Sequence, residues 1–352
     1  MPVKIAHSNT RRFSAMAVFA WAISVLAPGA EAATSCVSTS QELRQALSDA
    51  STGGVNAGEG NEIDVVQGNY VTDPDTGGFS YSNSGGGHLM LYGGYNAGCS
   101  IVSHNAALTV LDGNHLTPVL SLHGGGEIDV VGFTIQNGSS VAGGAGVAIN
   151  DLAGDVGASD LVGNIIRNNS TTYLGGGFAI GNSTGNIFIK NNLVYGNSAD
   201  DGDGAGIVLV YGATADVYNN TVTQNTTSLA GGTGGVGFAG NSGTITLLNN
   251  ILHGNTNYGA DFGTSDDIDF EYNDYGTITG TPPTTMDGNL TSAPQFVDAA
   301  SGDFHLATGS LLIGATPLLF NETDPDGHAM PAHGSSDIGA YFETIFTDGF
   351  QN

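Results

Sequence analysis

Two aspartates stand at equivalent places in a repeated segment of this chain, and paired carboxylates are what hydrolysis of a glycosidic bond requires. Alignment of the segments puts Asp160 and Asp216 in one column two repeats apart, with Phe188 between them and Lys190 beside them. At β-strand spacing the two carboxylates would be about 9.6 Å apart, near the separation in inverting glycosidases. The alternative is that these are ordinary solvated side chains, so all three charged residues are weak catalytic candidates. The aligned segments are ASDLV (158–162), IFIK (187–190) and ADVY (215–218).

A second column mixes polar and aromatic side chains. Stacked repeats would place its members about 4.8 Å apart, over roughly 19 Å in total. If it faces outward, this stripe is the best sugar-binding groove that the sequence offers, and otherwise it is a solvated stripe at a corner. A lyase would need a basic residue to abstract a proton, and a cation. Because this acidic chain has few basic residues, a lyase is less favoured. The stripe consists of Gln136, Arg167, Tyr195, Thr223 and His253.

One turn between repeats bunches hard oxygen ligands. Asp200, Asp201 and Asp203 occur within four residues. Carboxylate oxygens are the ligands that Ca²⁺ prefers, so the turn predicts a candidate calcium site, calcium being the only cofactor indicated. The alternative is an ordinary Asp-rich turn.

These residues must be positioned by a sequence repeat that runs from Gly132 to Asn255. Two asparagines stand five residues apart in each of its last four copies, and a fixed period of this kind is typical of stacked units. An asparagine at one place in every coil can bond its amide to the next, as in cross-β ladders. The predicted ladders contain Asn164, Asn192, Asn220 and Asn250, and Asn169, Asn197, Asn225 and Asn255.

Each repeat contains three short strands and spans 28 to 31 residues, which predicts a single-stranded parallel β-helix of all-β class. Alternation of apolar residues predicts two core columns. The first contains Val147, Phe178, Ile207 and Phe238, and the second contains Leu161, Ile189, Val217 and Leu247. A flat face of small side chains, including Ala148, Ala179, Val208 and Ala239, would favour adhesion or packing.

The remaining segments give the domain organisation. Residues 1–32 have a basic start, an apolar stretch and Ala30-Glu31-Ala32, and they predict a cleaved signal peptide. Residues 33–60 form a lead-in with an α-helical cap beginning at the capping box of Thr39 and Glu42. Coils follow over 61–288, then a closing segment over 289–343 and a tail over 344–352. No transmembrane segment is expected in the mature chain.

Charge and cysteines restrict the partners and the compartment. Removal of the signal leaves 3 basic against 32 acidic residues. Such a surface repels nucleic acid, anionic lipid and polyuronate. In an oxidising compartment Cys36 and Cys99 most simply form a disulfide.

The runs GGYNAGCS (93–100), LDGN (111–114) and APQFVDAASGDFHLATGSLLIGA…DPDGHAMPAHGSSDIGAYFE (293–343) resemble exported bacterial right-handed parallel β-helix proteins of the pectin-lyase-like superfamily. More narrowly, they resemble the group with a choice-of-anchor type domain. The resemblance implies a right-handed fold and export to the cell surface, the medium or the periplasm, and it implies no single activity. The paired-Asp, Gly-His-Gly and Arg-Ile-Lys motifs of polygalacturonase-like enzymes are absent.

We therefore expect an exported, non-catalytic protein that binds a polysaccharide, a cell-surface glycan or a partner surface along the solenoid face. The alternative is a polysaccharide-processing enzyme, either a lyase or a glycoside hydrolase.

Overall fold

The computed structural model describes most of the chain after residue 32. The predicted signal peptide, the predicted tail, and Asp201 and Asp203 of the predicted calcium turn lie outside the described residues. The described ranges are 33–58, 60–150, 158–181, 185–200, 202, 204–210, 214–240, 244–264, 267–318, 323–330 and 334–343.

Within these ranges the chain visits three long parallel sheets in the same order in every coil, so it folds as a parallel β-helix. Sheet 1 contains Ala33–Val37, Asn61–Val66, Leu89–Tyr95, Ile128–Val131, Ala158–Val162, Asn186–Lys190, Thr214–Tyr218, Ile245–Leu248 and Ile268–Glu271. Sheet 2 contains Gly68–Val71, Thr109–Asp112, Thr134–Gln136, Ile165–Arg167, Leu193–Tyr195, Thr221–Thr223, Ile251–Leu252 and Asp274–Tyr275. Sheet 3 contains Phe79–Asn83, Leu120–Gly124, Val147–Asn150, Phe178–Gly181, Ile207–Val210, Val236–Ala239, Ala260–Asp261 and Ile278–Thr279.

Smaller elements complete the coils. A short parallel sheet lies between sheets 2 and 3 in the middle coils and contains Ser139–Ser140, Ser170–Thr171, Ser198–Ala199 and Thr226–Thr227. A 3₁₀ turn spans Ala106–Leu108, and an antiparallel hairpin is made by Phe296–Asp298 and Asp303–Leu306.

The predicted helical cap is present as Ser40–Ala50. The side chain of Thr39 accepts a hydrogen bond from the Glu42 N–H at 3.2 Å, which satisfies one of the free donors of the first turn. The apolar stripe of the helix is buried, and Arg44 lies 4.8 Å over the Phe79 ring. The helix therefore packs beside Phe79–Asn83, the first strand of sheet 3.

Alternate side chains of each strand point into the core. The predicted column in sheet 1 is confirmed, with consecutive register and burial of Leu161, Ile189, Val217 and Leu247. The predicted column in sheet 3 was wrong at its last member, because Val236 pairs with Ile207 and Phe238 pairs with Leu209. Val236 and Phe238 are two residues apart and therefore share a face, so their sequence pattern fits either register.

The asparagine repeats form two continuous ladders. In each ladder the amide nitrogen of one coil donates to the amide oxygen of the next at 2.9–3.0 Å, from Asn164 to Asn250 and from Asn169 to Asn255. The first ladder continues to Asn273 and Asn289, which the repeat did not indicate. The residue before each ladder asparagine has positive φ, which explains why Gly or Asn so often precedes it.

After Asn289, the described parts of the closing segment (residues 289–343) lie along the outer face of sheet 2. The Gly339 N–H donates to the Asn249 carbonyl, and the Ala340 N–H donates to Thr221 Oγ1. Further back along the solenoid, the Ala106 N–H donates to the Pro325 carbonyl at 2.8 Å. In chain order the segment starts beside the last coils, where the Leu290 N–H donates to the Asn273 carbonyl, reaches the early coils at Pro325 and returns to the late coils at Gly339. It therefore doubles back along sheet 2 and buries much of it.

His305 links separate parts of the closing segment through hydrogen bonds to two aspartates. His305 Nδ1 is 2.8 Å from Asp303 Oδ1, and its Nε2 is 3.2 Å from Asp326 Oδ2. Its ring stacks on Tyr341 with centroids 4.1 Å apart. The hydrogen bond to Asp326, the largest cause, raises the pKa of His305 to about 9 against the opposing effect of burial.

We expect the closing segment to loosen in mild alkali. A raised folded-state pKa favours the protonated form, so its stabilising contribution is complete below about pH 6.5 and is lost as the pH rises through about 9. Hydrogen exchange of the hairpin amides should accelerate over that interval beyond the intrinsic pH effect. His305→Gln should abolish this extra acceleration and the exposed control His115→Asn should retain it, whereas an unchanged profile in His305→Gln would contradict the assignment.

Candidate functional site

The predicted carboxylate column lies on the outer face of sheet 1. Asp160 pairs in register with Phe188, and Phe188 with Asp216, so the phenyl ring separates the two aspartates. Lys190 Nζ is 3.2 Å from Asp160 Oδ1 and 4.2 Å from the centroid of Phe188. The ammonium group is therefore held by a carboxylate and an aromatic face.

Asp129 precedes this column by one coil, and the sequence alignment missed it. The Asp160 N–H donates to Asp129 Oδ1 at 2.9 Å. Only 8% of Asp129 is exposed, and this burial, the largest cause, raises its pKa to about 7. The segment EIDVV at 127–131 matches ASDLV, so extending the alignment by one repeat would have found it. The structure thus brings together one carboxyl group that titrates near neutrality and one that pairs with a cation.

The predicted polar stripe lies on sheet 2, where its members bond to one another. Arg167 Nε donates to Gln136 Oε1 at 2.9 Å, and its Nη1 donates to the Tyr195 hydroxyl at 3.0 Å. The Thr223 hydroxyl donates to the His253 carbonyl at 2.7 Å.

The hairpin of the closing segment covers part of this stripe. The Tyr195 ring is 4.8 Å from the Phe304 ring, and Thr223 is 2% exposed. The middle of the stripe is therefore packed beneath the hairpin and forms no open groove there.

Of the three predicted calcium ligands, only Asp200 lies within the described residues. Asp200 is exposed and accepts a hydrogen bond from Ser228 at 3.4 Å, while its two predicted partners lie outside the described residues. Among the described residues, no group of three or more His, Cys, Asp or Glu side chains is placed to hold a metal ion. Calcium binding stays a prediction.

The outer face of sheet 3 carries an open groove of about 400 Å³. Its floor consists of small uncharged side chains from successive coils, and Tyr173 and Leu174 form a wall. Tyr173 is 51% exposed. In the predicted face of small residues, the partner of Val208 in the next coil is Gly237, while Ala239 pairs with Val210 in the adjacent column. The floor is lined by Asn150, Ala179, Gly181, Val208, Val210 and Ala239.

No helix among the described residues is long and apolar enough to cross a lipid bilayer.

Comparison with known proteins identifies the fold. No curated protein and no solved structure matches the chain. One family model does match, over residues 120–275, and its description is a right-handed β-helix region. The matched residues are those in which the parallel sheets and both asparagine ladders are most regular. The chain thus folds as a right-handed parallel β-helix, with a helix at its N-terminal side and a closing segment along sheet 2.

Proposed function

We propose that the protein is an exported, non-catalytic β-helix that binds neutral glycan chains in the groove on sheet 3. The observation that carries the proposal is the composition of that groove: a long, flat, uncharged floor beside an exposed tyrosine. Export rests on the signal-peptide pattern of residues 1–32. Export would bring the protein to the cell surface, the medium or the periplasm.

The floor suits an extended ligand. Asn150, Gly181, Val210 and Ala239 follow one another in register along the floor, and neighbouring strands are about 4.8 Å apart. Small side chains let a sugar ring approach the sheet, and the exposed face of Tyr173 offers a stacking surface. The side-chain amide of Asn150 can bond hydroxyl groups.

Charge favours a neutral glycan over an acidic one. The chain carries a formal net charge of −27, and this field repels uronates and sulfated sugars. Among the described residues that line the groove, none is His, Asp, Glu, Lys or Arg. The described lining therefore offers neutral hydrogen-bonding and apolar contacts to a sugar, which suits binding of an uncharged chain.

Tyr173→Ala should weaken binding to neutral polysaccharides by about tenfold, because it removes the exposed ring from the wall of the groove. Affinity electrophoresis of purified protein without residues 1–32 measures this change. Ala179→Arg should block the groove more completely, since it places a long side chain on the floor.

The matched control is Thr279→Arg, which adds the same charge to the same outward column beyond the groove. If this control weakens retention as much as Ala179→Arg does, or if uronate polymers are retained best, the proposal fails.

One observation favours the alternative, a polysaccharide-processing enzyme. Asp129 and Asp160 are adjacent carboxyl groups in different environments, and such pairs can divide acid and base roles. Against an enzyme, Asp129 is 8% exposed and Lys190 already pairs with Asp160.

A further inference from the structure

A separate cavity of about 210 Å³ lies where sheet 1 turns into sheet 2 in the early coils. We call it the tyrosine pocket. Its surface is largely apolar, and the polar side chains among its principal lining residues are Tyr92, Tyr95, His104 and Thr323. Val102, Val131 and Val162 provide much of the remaining surface.

The pocket exists because of a local change in the corner residue. In the later coils this corner position is Asn191, Asn219 or Asn249, all with φ between 53° and 64°. The Asn191 amide reaches across to donate to the Thr323 carbonyl at 2.8 Å. In the earlier coils the corner is glycine, as at Gly163 with φ of 62°. Without the amide side chain, space remains between the sheet and the closing segment.

Two fixed segments form the outer walls. The loop that carries Val102 and His104 is tied to sheet 1 by the disulfide between Cys36 and Cys99. The closing segment contributes Thr323 and is anchored nearby through the bond from the Ala106 N–H to the Pro325 carbonyl. The pocket is therefore preformed, which lowers the entropic cost of binding a ligand.

The pocket lies in a negative field. Asp64 is the register partner of Tyr92, so both side chains lie on the outer face of sheet 1 about 4.8 Å apart along the sheet. The Tyr95 hydroxyl bonds to the Asp64 carboxylate, whose Oδ1 has no hydrogen-bond partner among the described residues. Asp64 is 5% exposed.

The pKa of the Tyr92 hydroxyl is also affected by negative charges near the pocket. Burial, first, and then the charges of Asp129, Glu62, Asp160 and Glu127 raise its pKa to about 12. Because the pKa of Asp129 is raised and Asp160 pairs with Lys190, the attraction of a cation into the pocket comes mainly from Glu62 and Glu127.

We propose that the tyrosine pocket binds a small methylated ammonium ion, with the methyl groups against the valines and the charge against the tyrosine rings, behind which Asp64 lies. Aromatic surfaces beside carboxylates recognise quaternary ammonium groups through cation–π attraction. The same face of sheet 1 contains another such contact between a cation and an aromatic ring. The Lys190 ammonium lies on the Phe188 ring beside Asp160.

Choline and its neutral carbon analogue 3,3-dimethylbutan-1-ol form the decisive ligand pair, because they match in shape and differ in charge. Titration calorimetry of the purified, disulfide-bonded protein should show choline binding at least about tenfold more tightly than the alcohol. Equal affinity would show a merely apolar cavity and would overturn the proposal, as would the absence of choline binding.

Gly163→Asn tests the location without disturbing the fold. Its φ is within the range that Asn occupies at the same corner of later coils, and a Cβ there meets only the Thr323 carbonyl oxygen, at 4.0 Å. The variant should unfold like the wild type and lose choline binding by about tenfold or more, because the amide fills the pocket. Retained affinity in a folded Gly163→Asn protein would contradict the proposal.

Two further variants separate the aromatic and charged contributions. Tyr92→Leu and Asp64→Asn should each weaken choline binding severalfold. Their controls are Tyr218→Leu and Glu271→Gln, which lie on the same outward column of sheet 1 several coils away. Ala179→Arg should block the glycan groove and leave choline binding intact, so the two proposals can fail independently.

Discussion

Asn220→Ala should lower the free energy of unfolding by at least about 3 kcal/mol, because each buried polar group left without a partner costs about 1–3 kcal/mol. Asn220 Oδ1 accepts from the backbone N–H and the amide of Asn192. Its Nδ2 donates to the Ile189 carbonyl at 2.7 Å and to Asn250 Oδ1 at 3.0 Å. Removal of the side chain leaves polar groups in both neighbouring coils without hydrogen-bond partners. Urea denaturation measures the resulting loss of stability.

Asn69→Ala is the matched control, since Asn69 lies on an exposed strand position of the first coil. It should change the stability by less than about 0.5 kcal/mol. Asn220→Asp should be as damaging as Asn220→Ala, because it replaces a donor by an acceptor facing Asn250 Oδ1. A loss below about 1 kcal/mol for either buried variant would show that the ladder contributes little to stability.

The double substitution Cys36→Ser with Cys99→Ser should destabilise the protein by about 4 kcal/mol on the chain-entropy model. The bond joins residues 63 positions apart and ties the strand Ala33–Val37 to the loop that follows Leu89–Tyr95. The opened chain gains conformational freedom in the unfolded state. Urea denaturation of the oxidised and the substituted proteins compares the two stabilities.

Hydrogen exchange locates the effect. In the substituted protein, the amides of Ala33–Val37 should exchange much faster, since this strand lies at the edge of sheet 1 and has a partner on one side only. Amides in the central coils should change least. A uniform increase along the solenoid, or a stability equal to that of the oxidised protein, would contradict the assignment of the disulfide as an N-terminal clamp.

The stacking of the chain could be predicted because it follows from local periodicity. Each repeat contains its own inward residues and its own ladder asparagine, as with Leu161 and Asn164, and stacking alone completes the contacts. The same reasoning failed at Phe238, where two apolar residues on one face made two registers equivalent. It also missed Asn289, because the last coil shortens the ladder spacing to 16 residues.

The outer surface could not be predicted in the same way. Periodicity says which residues are in one column, but it does not say what packs on that column from elsewhere in the chain. Tyr195 therefore looked like part of an open stripe, although Phe304, more than a hundred residues later, packs on it. The tyrosine pocket likewise depends on Thr323 and on a glycine corner, which no motif of the sequence indicates.

The most direct test of the proposed function is a combined binding and cleavage measurement on one neutral polysaccharide. Purified protein without residues 1–32 is incubated with the polymer that it retains best, while new reducing ends are followed. The proposal predicts retention that Ala179→Arg abolishes, with no new reducing ends. Reducing ends that form with the wild type and disappear in Asp129→Asn or Asp160→Asn would contradict it and establish an enzyme.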